Sequence, residues 1–241
     1  MELEEVRSLG RELEERLRPA TYPLAVAFLR KGEVPEGVRK PEEKLSLCQL
    51  FALSRTYGWT VGLGPEESGC PAASLLLGWP GEREVVVEFF QAAGYVRNRE
   101  AAEGLLGELQ ELRPEDVERV VVSPLTRTKV YPDAVMVYGN SAQMMRLLQG
   151  AVCEQGRRVE VRLAGMMASC GSVLRSYRQG KYDLAIPGGG DRVFAATQET
   201  EVIFTLPASK LRPLLEGMKE QRLMKYPIPP RLPPPFFFPG G

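Results

Sequence analysis

The spacing of apolar residues predicts a chain in which helices and strands alternate. Leu3, Leu9 and Leu13 recur at helical spacing in an N-terminal helix over residues 2–18, which Pro19 ends. The apolar run YPLAVAFL that follows has the length and composition of a buried strand. Further strands are predicted at 60–63, 85–89, 117–124, 134–138, 159–164, 182–186 and 201–206. Further helices are predicted at 45–57, within 65–78, and at 98–112, 142–155, 170–179 and 207–218.

This alternation predicts an α/β fold, with α+β as the alternative, in which a mixed β-sheet is flanked by helices. Residues 1–225 are predicted to form one α/β domain. The remaining segment, YPIPPRLPPPFFFPGG at 226–241, holds seven prolines, which exclude a helix or a central strand and favour an extended polyproline II path. We expect this proline-rich arm to lie in a groove of its own subunit or of a neighbour in a homodimer, or to be displayed for another partner.

Composition and charge exclude several classes of protein. Acidic and basic residues balance at 31 each, so the chain has no overall basic footprint for nucleic acid. No apolar run approaches the roughly 20 residues needed to cross a bilayer. The N-terminus has the pattern of a charged helix and lacks that of a signal peptide. The sequence therefore predicts a cytoplasmic protein that binds neither nucleic acid nor membranes.

The chain contains no histidine and four cysteines, which narrows the chemistry available to it. A Ser-His-Asp or Cys-His arrangement needs an imidazole base, and most catalytic zinc sites use histidine ligands. Cysteines in a reducing cytoplasm point to metal binding, chemistry or burial before disulfides. The thiols are therefore the best candidates for function.

Three of the four cysteines lie where helices are predicted to begin. Cys48, Cys70 and Cys170 occur in LSLCQL, ESGCPA and ASCGS, and Pro71 places Cys70 at or beside an N-cap. Exposed backbone amides at a helix start can stabilise a thiolate or a bound anion. Cys153 falls within a helix rich in Met and Leu and is predicted to pack in the core. The spacing matches neither a zinc ribbon nor a ferredoxin, so burial remains the alternative for all four thiols.

A glycine run and a helix start provide candidates for substrate binding. The glycines at 188–190 follow a predicted strand and allow close approach of a ligand, while the residues after them are not expected to form a helix. An arginine in this turn suits a carboxylate or a phosphate. The turn before the helix at 142–155 could bind an anion. The alternatives are a flexible turn for the glycine run and an ordinary capped helix at 142–155. The candidates are Gly189, Gly190, Asp191, Arg192 and Asn140.

The order of motifs resembles a known family. PLAVAFL is followed by PEGV, LCQL, GCPAA, VVVSPL, PDAVMVYGNSAQMMRLLQG, an ASC turn and EVIFTLP. This order resembles the family called domain of unknown function 169, the uncharacterised ArCR proteins, over residues 22–215. The GN-x-x-Q-x-x-x-L stretch and the CQ and CP elements are its more specific marks. Family members are typically prokaryotic, often from anaerobes, and have no settled activity.

The resemblance implies that Cys48, Cys70 and Cys170 meet in one place, whereas Cys153 has no counterpart in the family. Many relatives carry a further cysteine where this chain has the glycines at 188–190. Three thiolates without histidine suit an iron–sulfur cluster, most of all a 4Fe-4S cluster, better than zinc. Such a cluster leaves one iron open to a small polar or sulfur-containing substrate, which Asp191 and Arg192 would orient.

Two other functions remain open from the residues. The first is a metal-free regulatory or small-anion-binding protein, with an anion site at the glycine turn or at Asn140 and cysteines that only pack. The second is a structural zinc site, or a thiol-redox protein in which Cys70 is a nucleophile of low pKa.

Overall fold

The fold is described from a computed structural model, which covers residues 2–30, 35–110 and 113–221. The predicted proline-rich arm at 226–241, and its contact with a second subunit, lie outside the described residues. The helices are α1 Leu3–Leu17, α2 Leu47–Tyr57, α3 Pro71–Leu77, α4 Arg83–Ala92, α5 Arg99–Gln110, α6 Ser141–Gln155, α7 Ala168–Gln179, α8 Gly189–Phe194 and α9 Leu211–Lys219. The strands are β1 Leu24–Leu29, β2 Val61–Leu63, β3 Arg119–Pro124, β4 Ala134–Gly139, β5 Asp183–Ala185 and β6 Val202–Pro207.

The strands form one six-stranded sheet in the order β2-β3-β1-β4-β6-β5. The α/β class is confirmed, but the expected mixed sheet needs a correction, because every ladder between these strands is antiparallel. Parallel pairing is limited, in the described ranges, to isolated bridges at Arg39–Val61 and Leu45–Ser68. Parallel and antiparallel strands both appear as apolar runs when their two faces are buried. The sequence pattern therefore does not show whether neighbouring strands run in the same direction.

Helices cover both faces of the sheet. Alternate residues of β1 face opposite sides, as the two-residue period of a strand requires. Leu24 and Val26 join the core under α2, α3 and α7, which includes Cys170. Ala25 joins the core under α1, α6 and α9. The three candidate cysteines belong to helices on the first of these faces.

Two predicted strands and one predicted turn are wrong. The segment 85–89 lies within α4, because Val86, Val87 and Phe90 share a helical face that packs beside α5. The segment 159–164 forms neither helix nor strand, and of its alternating apolar residues Val159 packs against the core while Val161 and Leu163 are exposed. The glycine run at 188–190 opens the short helix α8, where no helix was expected.

The crossing of α6 and α9 depends on two glycines. A methyl group at Gly150 would lie 2.7 Å from Cγ of Met218 and 2.9 Å from the carbonyl oxygen of Leu214. A methyl group at Gly217 would collide with the carbonyl oxygen of Gly150. The two backbones approach so closely that neither position has room for a side chain.

Candidate functional site

Cys48 lies in the first turn of α2, which a capping box begins. The Ser46 hydroxyl accepts a hydrogen bond from the Gln49 amide at 3.2 Å, and the Gln49 side chain accepts one from the Ser46 amide at 2.8 Å. This arrangement satisfies two amides at the helix start. The Ser46 hydroxyl also lies 3.3 Å from Sγ of Cys48. The cap therefore fixes both the start of α2 and the position of its thiol.

Cys70 is held beside the start of α2 by backbone hydrogen bonds. The Leu45 amide donates to the Glu67 carbonyl oxygen, and the Gly69 amide donates to the Leu45 carbonyl oxygen, both at 2.9 Å. The next residue, Cys70, is the N-cap of α3, and Pro71 occupies the first helical position, as predicted. The segments before two separate helices are thus fastened side by side, each just before its cysteine.

Cys170 enters the same region from α7. This helix begins after Met167, a non-glycine residue in the left-handed region with φ of 48°. The Cys170 thiol donates a hydrogen bond to the Met167 carbonyl oxygen at 3.4 Å. Cys170 is buried, while Cys48 and Cys70 are partly exposed.

The structure brings the three thiols together. Burial raises the pKa of the Cys48 thiol to about 11. The hydrogen bond from Ser46 lowers this pKa, and the neighbouring charges of Asp191 and Cys70 raise it. Burial likewise raises the pKa of Cys170, and Cys70, Cys48 and Asp191 add to that shift. The charges of Cys70 and Asp191 act on both Cys48 and Cys170, so the three thiols and Asp191 share one partly buried site, called the thiol site below.

Cys153 is separate from the thiol site, and its predicted burial is wrong. It lies on α6, on the opposite face of the sheet, where its Cβ comes within 3.3 Å of the position of a methyl group at Gly217. The side chain is exposed to solvent. Composition misled the prediction because Cys153 lies with Met145 and Leu148 along an open apolar groove on the surface of α6, outside the core.

The helix α8 supplies an acid to the thiol site. Gly190 is so close to Cys48 that an added methyl group would lie 3.7 Å from Sγ. Oδ2 of Asp191 accepts a hydrogen bond from the Gly188 amide at 3.2 Å, whereas the buried Oδ1 has no hydrogen bond within the described residues. Burial raises the pKa of Asp191, and Ser169 and the Gly188 amide oppose that rise. Asp191 is thus a buried acid that Gly188 and Ser169 hold in place beside the thiols.

Arg55 and Tyr138 belong to this region, although the sequence reasoning missed both. The Arg55 guanidinium lies 4.2 Å from the centre of the Tyr138 ring and donates a hydrogen bond to Glu201 at 2.6 Å. The Tyr138 hydroxyl is buried without a hydrogen bond among the described residues. Burial raises the pKa of Tyr138, and the charges of Asp191 and Cys48 contribute to that rise. Arg55 follows Cys48 by seven residues, a helical spacing that could have indicated it.

The other residues predicted to bind a substrate, Arg192, Gly189 and Asn140, contact residues that are not part of the thiol site. The Arg192 guanidinium donates to the Gln198 carbonyl oxygen at 3.0 Å. Gly189 lies against the Tyr95 hydroxyl, since an added methyl group would come within 2.8 Å of it. The Asn140 side chain caps α6 by accepting from the Gln143 amide at 3.0 Å. Their part in binding a substrate stays a prediction.

Comparison of the sequence with known proteins places the chain in a family. The model of the family described as domain of unknown function 169, uncharacterised ArCR, matches residues 12–217. The chain belongs to this family. An uncharacterised protein of Methanocaldococcus jannaschii is 22% identical over 227 residues, which cover 92% of this chain and 97% of that protein. No solved structure matches the chain.

Membership of the ArCR family carries no stated activity, so function has to be argued from the thiol site. Among the residues described for this ArCR protein, no helix is long and apolar enough to cross a membrane. The same residues include no group of three or more His, Cys, Asp or Glu placed to hold a single metal ion.

We expect the thiols of this ArCR protein to differ in alkylation rate when no metal is bound. With a pKa near 11, only about one Cys48 thiol in a thousand is ionised at pH 8, and the thiolate is the nucleophile. Iodoacetamide should therefore modify the exposed Cys153 first, and the Cys48 rate should rise about tenfold per pH unit. Peptide mapping by mass spectrometry measures each rate. If Cys70 reacts faster than Cys153 at neutral pH, the thiol-redox hypothesis gains support.

Proposed function

We propose that the chain is an iron–sulfur protein whose cluster, of the 4Fe-4S type, is held by Cys48, Cys70 and Cys170. The observation that carries this proposal is the convergence of three thiols from distant segments at one partly buried site. Cys153, the remaining cysteine, is exposed elsewhere. Thiolates are the preferred ligands of iron–sulfur clusters, and the chain has no histidine to offer another metal.

The arrangement of the donors favours a cluster over a single zinc ion. Structural zinc is surrounded by four ligands at one centre, about 2.3 Å from each sulfur. The described residues contain no group placed in that way. Cysteines that hold a cluster bind different iron atoms and therefore stand farther apart than the ligands of one ion. Thiols from three separate segments that meet at one site suit the second case.

The electrostatics of the thiol site support a cationic occupant. Without a cation, burial and mutual proximity keep Cys48 and Cys170 in the neutral thiol form. Iron ions reverse this preference because a coordinated thiol is deprotonated. The amides in the first turns of α2 and α7 favour the resulting negative charge. Binding of iron at the thiol site should accordingly release protons from the thiols.

Two buried polar groups beside the thiols support an enzyme that acts on a small polar or sulfur-containing molecule. A cluster bound by three thiolates would supply one iron position with Lewis-acid character. In the proposed enzyme, Oδ1 of Asp191 would accept a hydrogen bond from a substrate and the Tyr138 hydroxyl would donate one, since both atoms are buried without a hydrogen bond among the described residues. Buried polar atoms without partners are costly, so a ligand that satisfies both would stabilise the site. Such a protein would work in the reducing cytoplasm.

The decisive experiment is to measure iron and acid-labile sulfide in protein purified without oxygen, together with its visible absorption spectrum. We expect about four irons and four sulfides per chain and a broad brown absorbance. One equivalent of zinc without sulfide would support the structural zinc site instead. A colourless protein that takes up no iron on anaerobic reconstitution would contradict the proposal. The search would then move to metal-free anion binding at Asp191 and Arg192.

A further inference from the structure

A cavity of about 230 Å³ lies on the side of α7 that faces away from Cys170. Its wall on α7 is one face of the helix, formed by residues that recur with helical periodicity: Ala168, Gly171, Ser172, Arg175 and Gln179. Cys170 points instead into the core between α7 and the sheet. The cavity is therefore distinct from the thiol site, although the two share a helix.

The polar part of the cavity is a buried ion pair with one donor left over. Nη1 of Arg175 donates to Asp183 at 3.1 Å, and Nε donates to the Gln179 side chain at 3.2 Å. The side chains of Arg175 and Asp183 are only 8% and 3% exposed. Among the described residues, Nη2 of Arg175 makes no hydrogen bond. This nitrogen is not fully buried. Because Arg175 lines the cavity, Nη2 is available to a ligand there.

The rest of the cavity is mainly apolar. Leu109 and Met166 line it, and Leu163 and Ile186 do so with about half of each side chain exposed. A charged pair, Arg162 and Glu108 at 3.7 Å, also lines it and is exposed to solvent. Apolar walls around a few fixed polar groups are typical of small-molecule sites.

We propose that this cavity binds a small organic acid, whose carboxylate accepts hydrogen bonds from Arg175 and whose carbon body contacts Met166, Leu163 and Ile186. An arginine with a free nitrogen suits a carboxylate oxygen. Asp183 already offsets the charge of Arg175, so a single negative charge fits better than a phosphate dianion. The volume falls below the roughly 300 Å³ at which drug-sized ligands begin, which restricts the ligand to a short acid.

This second site is connected to the thiol site through the loop before α7. Gly165 and Met166 line the cavity. The same residues touch Gly188, where an added methyl group would lie 2.7 Å from the Gly165 carbonyl oxygen. Gly188 in turn donates its amide to Asp191. A bound acid is thus placed next to the backbone that positions the carboxylate of the thiol site.

The test is calorimetric titration of the full chain with acetate, butyrate and hexanoate, with 1-butanol as the uncharged comparison. We expect saturable binding of the acids, tighter for butyrate than for acetate, and no saturable binding of the alcohol. The Gly171→Leu variant should bind about tenfold more weakly or worse, because its side chain enters the cavity while the ion pair stays intact. Arg175→Lys, which keeps the charge but loses the fork, should weaken binding as well.

The matched control is Gly104→Leu, which places the same side chain on an exposed helical position with nothing within 4 Å. This variant should bind the acids like the unmodified chain. The proposal is overturned if none of the three acids binds saturably, or if Gly171→Leu binds as tightly as Gly104→Leu. Binding that is the same with and without iron would show that the two sites are independent, and it would leave the acid site standing.

Discussion

Single replacement of Cys48, Cys70 or Cys170 by alanine is expected to reduce cluster iron from about four atoms per chain to nearly none. Each thiol is one of three proposed ligands, and no other cysteine is near enough to substitute, since Cys153 lies on the opposite face of the sheet. Iron, sulfide and visible absorbance should fall together. The effect should exceed any change in folding, because removal of a buried thiol leaves only a small cavity.

The matched control is Cys153→Ala, which removes a thiol and should retain the full complement of iron. Circular dichroism and thermal unfolding of the apoproteins would show that all four variants fold. Equal iron in the four variants would contradict the assignment of ligands. Loss of iron from Cys153→Ala alone would move the site to α6.

The Gly217→Ala variant is expected to lose about 2 kcal/mol or more of folding stability, although alanine is the better helix former. The added methyl group would collide with the carbonyl oxygen of Gly150, so α9 has to move away from α6. That movement would open the core beneath α1, α6 and α9, which includes Leu147 and Leu214. Urea unfolding, followed by fluorescence and circular dichroism, measures the difference.

The control is the same substitution on α5, Gly107→Ala, where nothing lies within 4 Å of the added methyl group. Both changes have the same effect on the unfolded chain, so the comparison isolates the contact between the helices. Gly107→Ala should stabilise the protein by up to about 1 kcal/mol. If Gly217→Ala is as stable as the unmodified chain, the close crossing of α6 and α9 is wrong.

Most helices and six of the strands could be predicted from the sequence, because apolar spacing and helix-start residues are local signals. Pro71 marked the start of α3, and Asn140 marked the cap of α6. The valine run at 85–87 was misread because β-branched residues favour strands, while here their packing against α5 decides for a helix. The direction of the strands left no local signal.

The thiol site could be predicted in part. The family resemblance implied that Cys48, Cys70 and Cys170 meet, and the structure brings them together. Asp191 was included as a substrate ligand, but its position among the thiols depends on the unexpected helix α8. Tyr138 could not be found, because a tyrosine in a buried strand is ordinarily a core residue. Long-range packing decides which side chains face a site, and a single sequence does not display it.

If the proposed cluster is bound, the distribution of the three thiols would set the order of events as this protein matures. Cys48 and Cys70 are 22 residues apart, and Cys170 follows 100 residues later, so no short stretch of nascent chain carries the complete set. The set exists only after the start of α7 has packed beside α2 and α3. On the proposed function, folding of the sheet would therefore precede iron insertion, and a donor would have to deliver a cluster to an already structured apoprotein. The need for an entry route fits the partial exposure of Cys48 and Cys70.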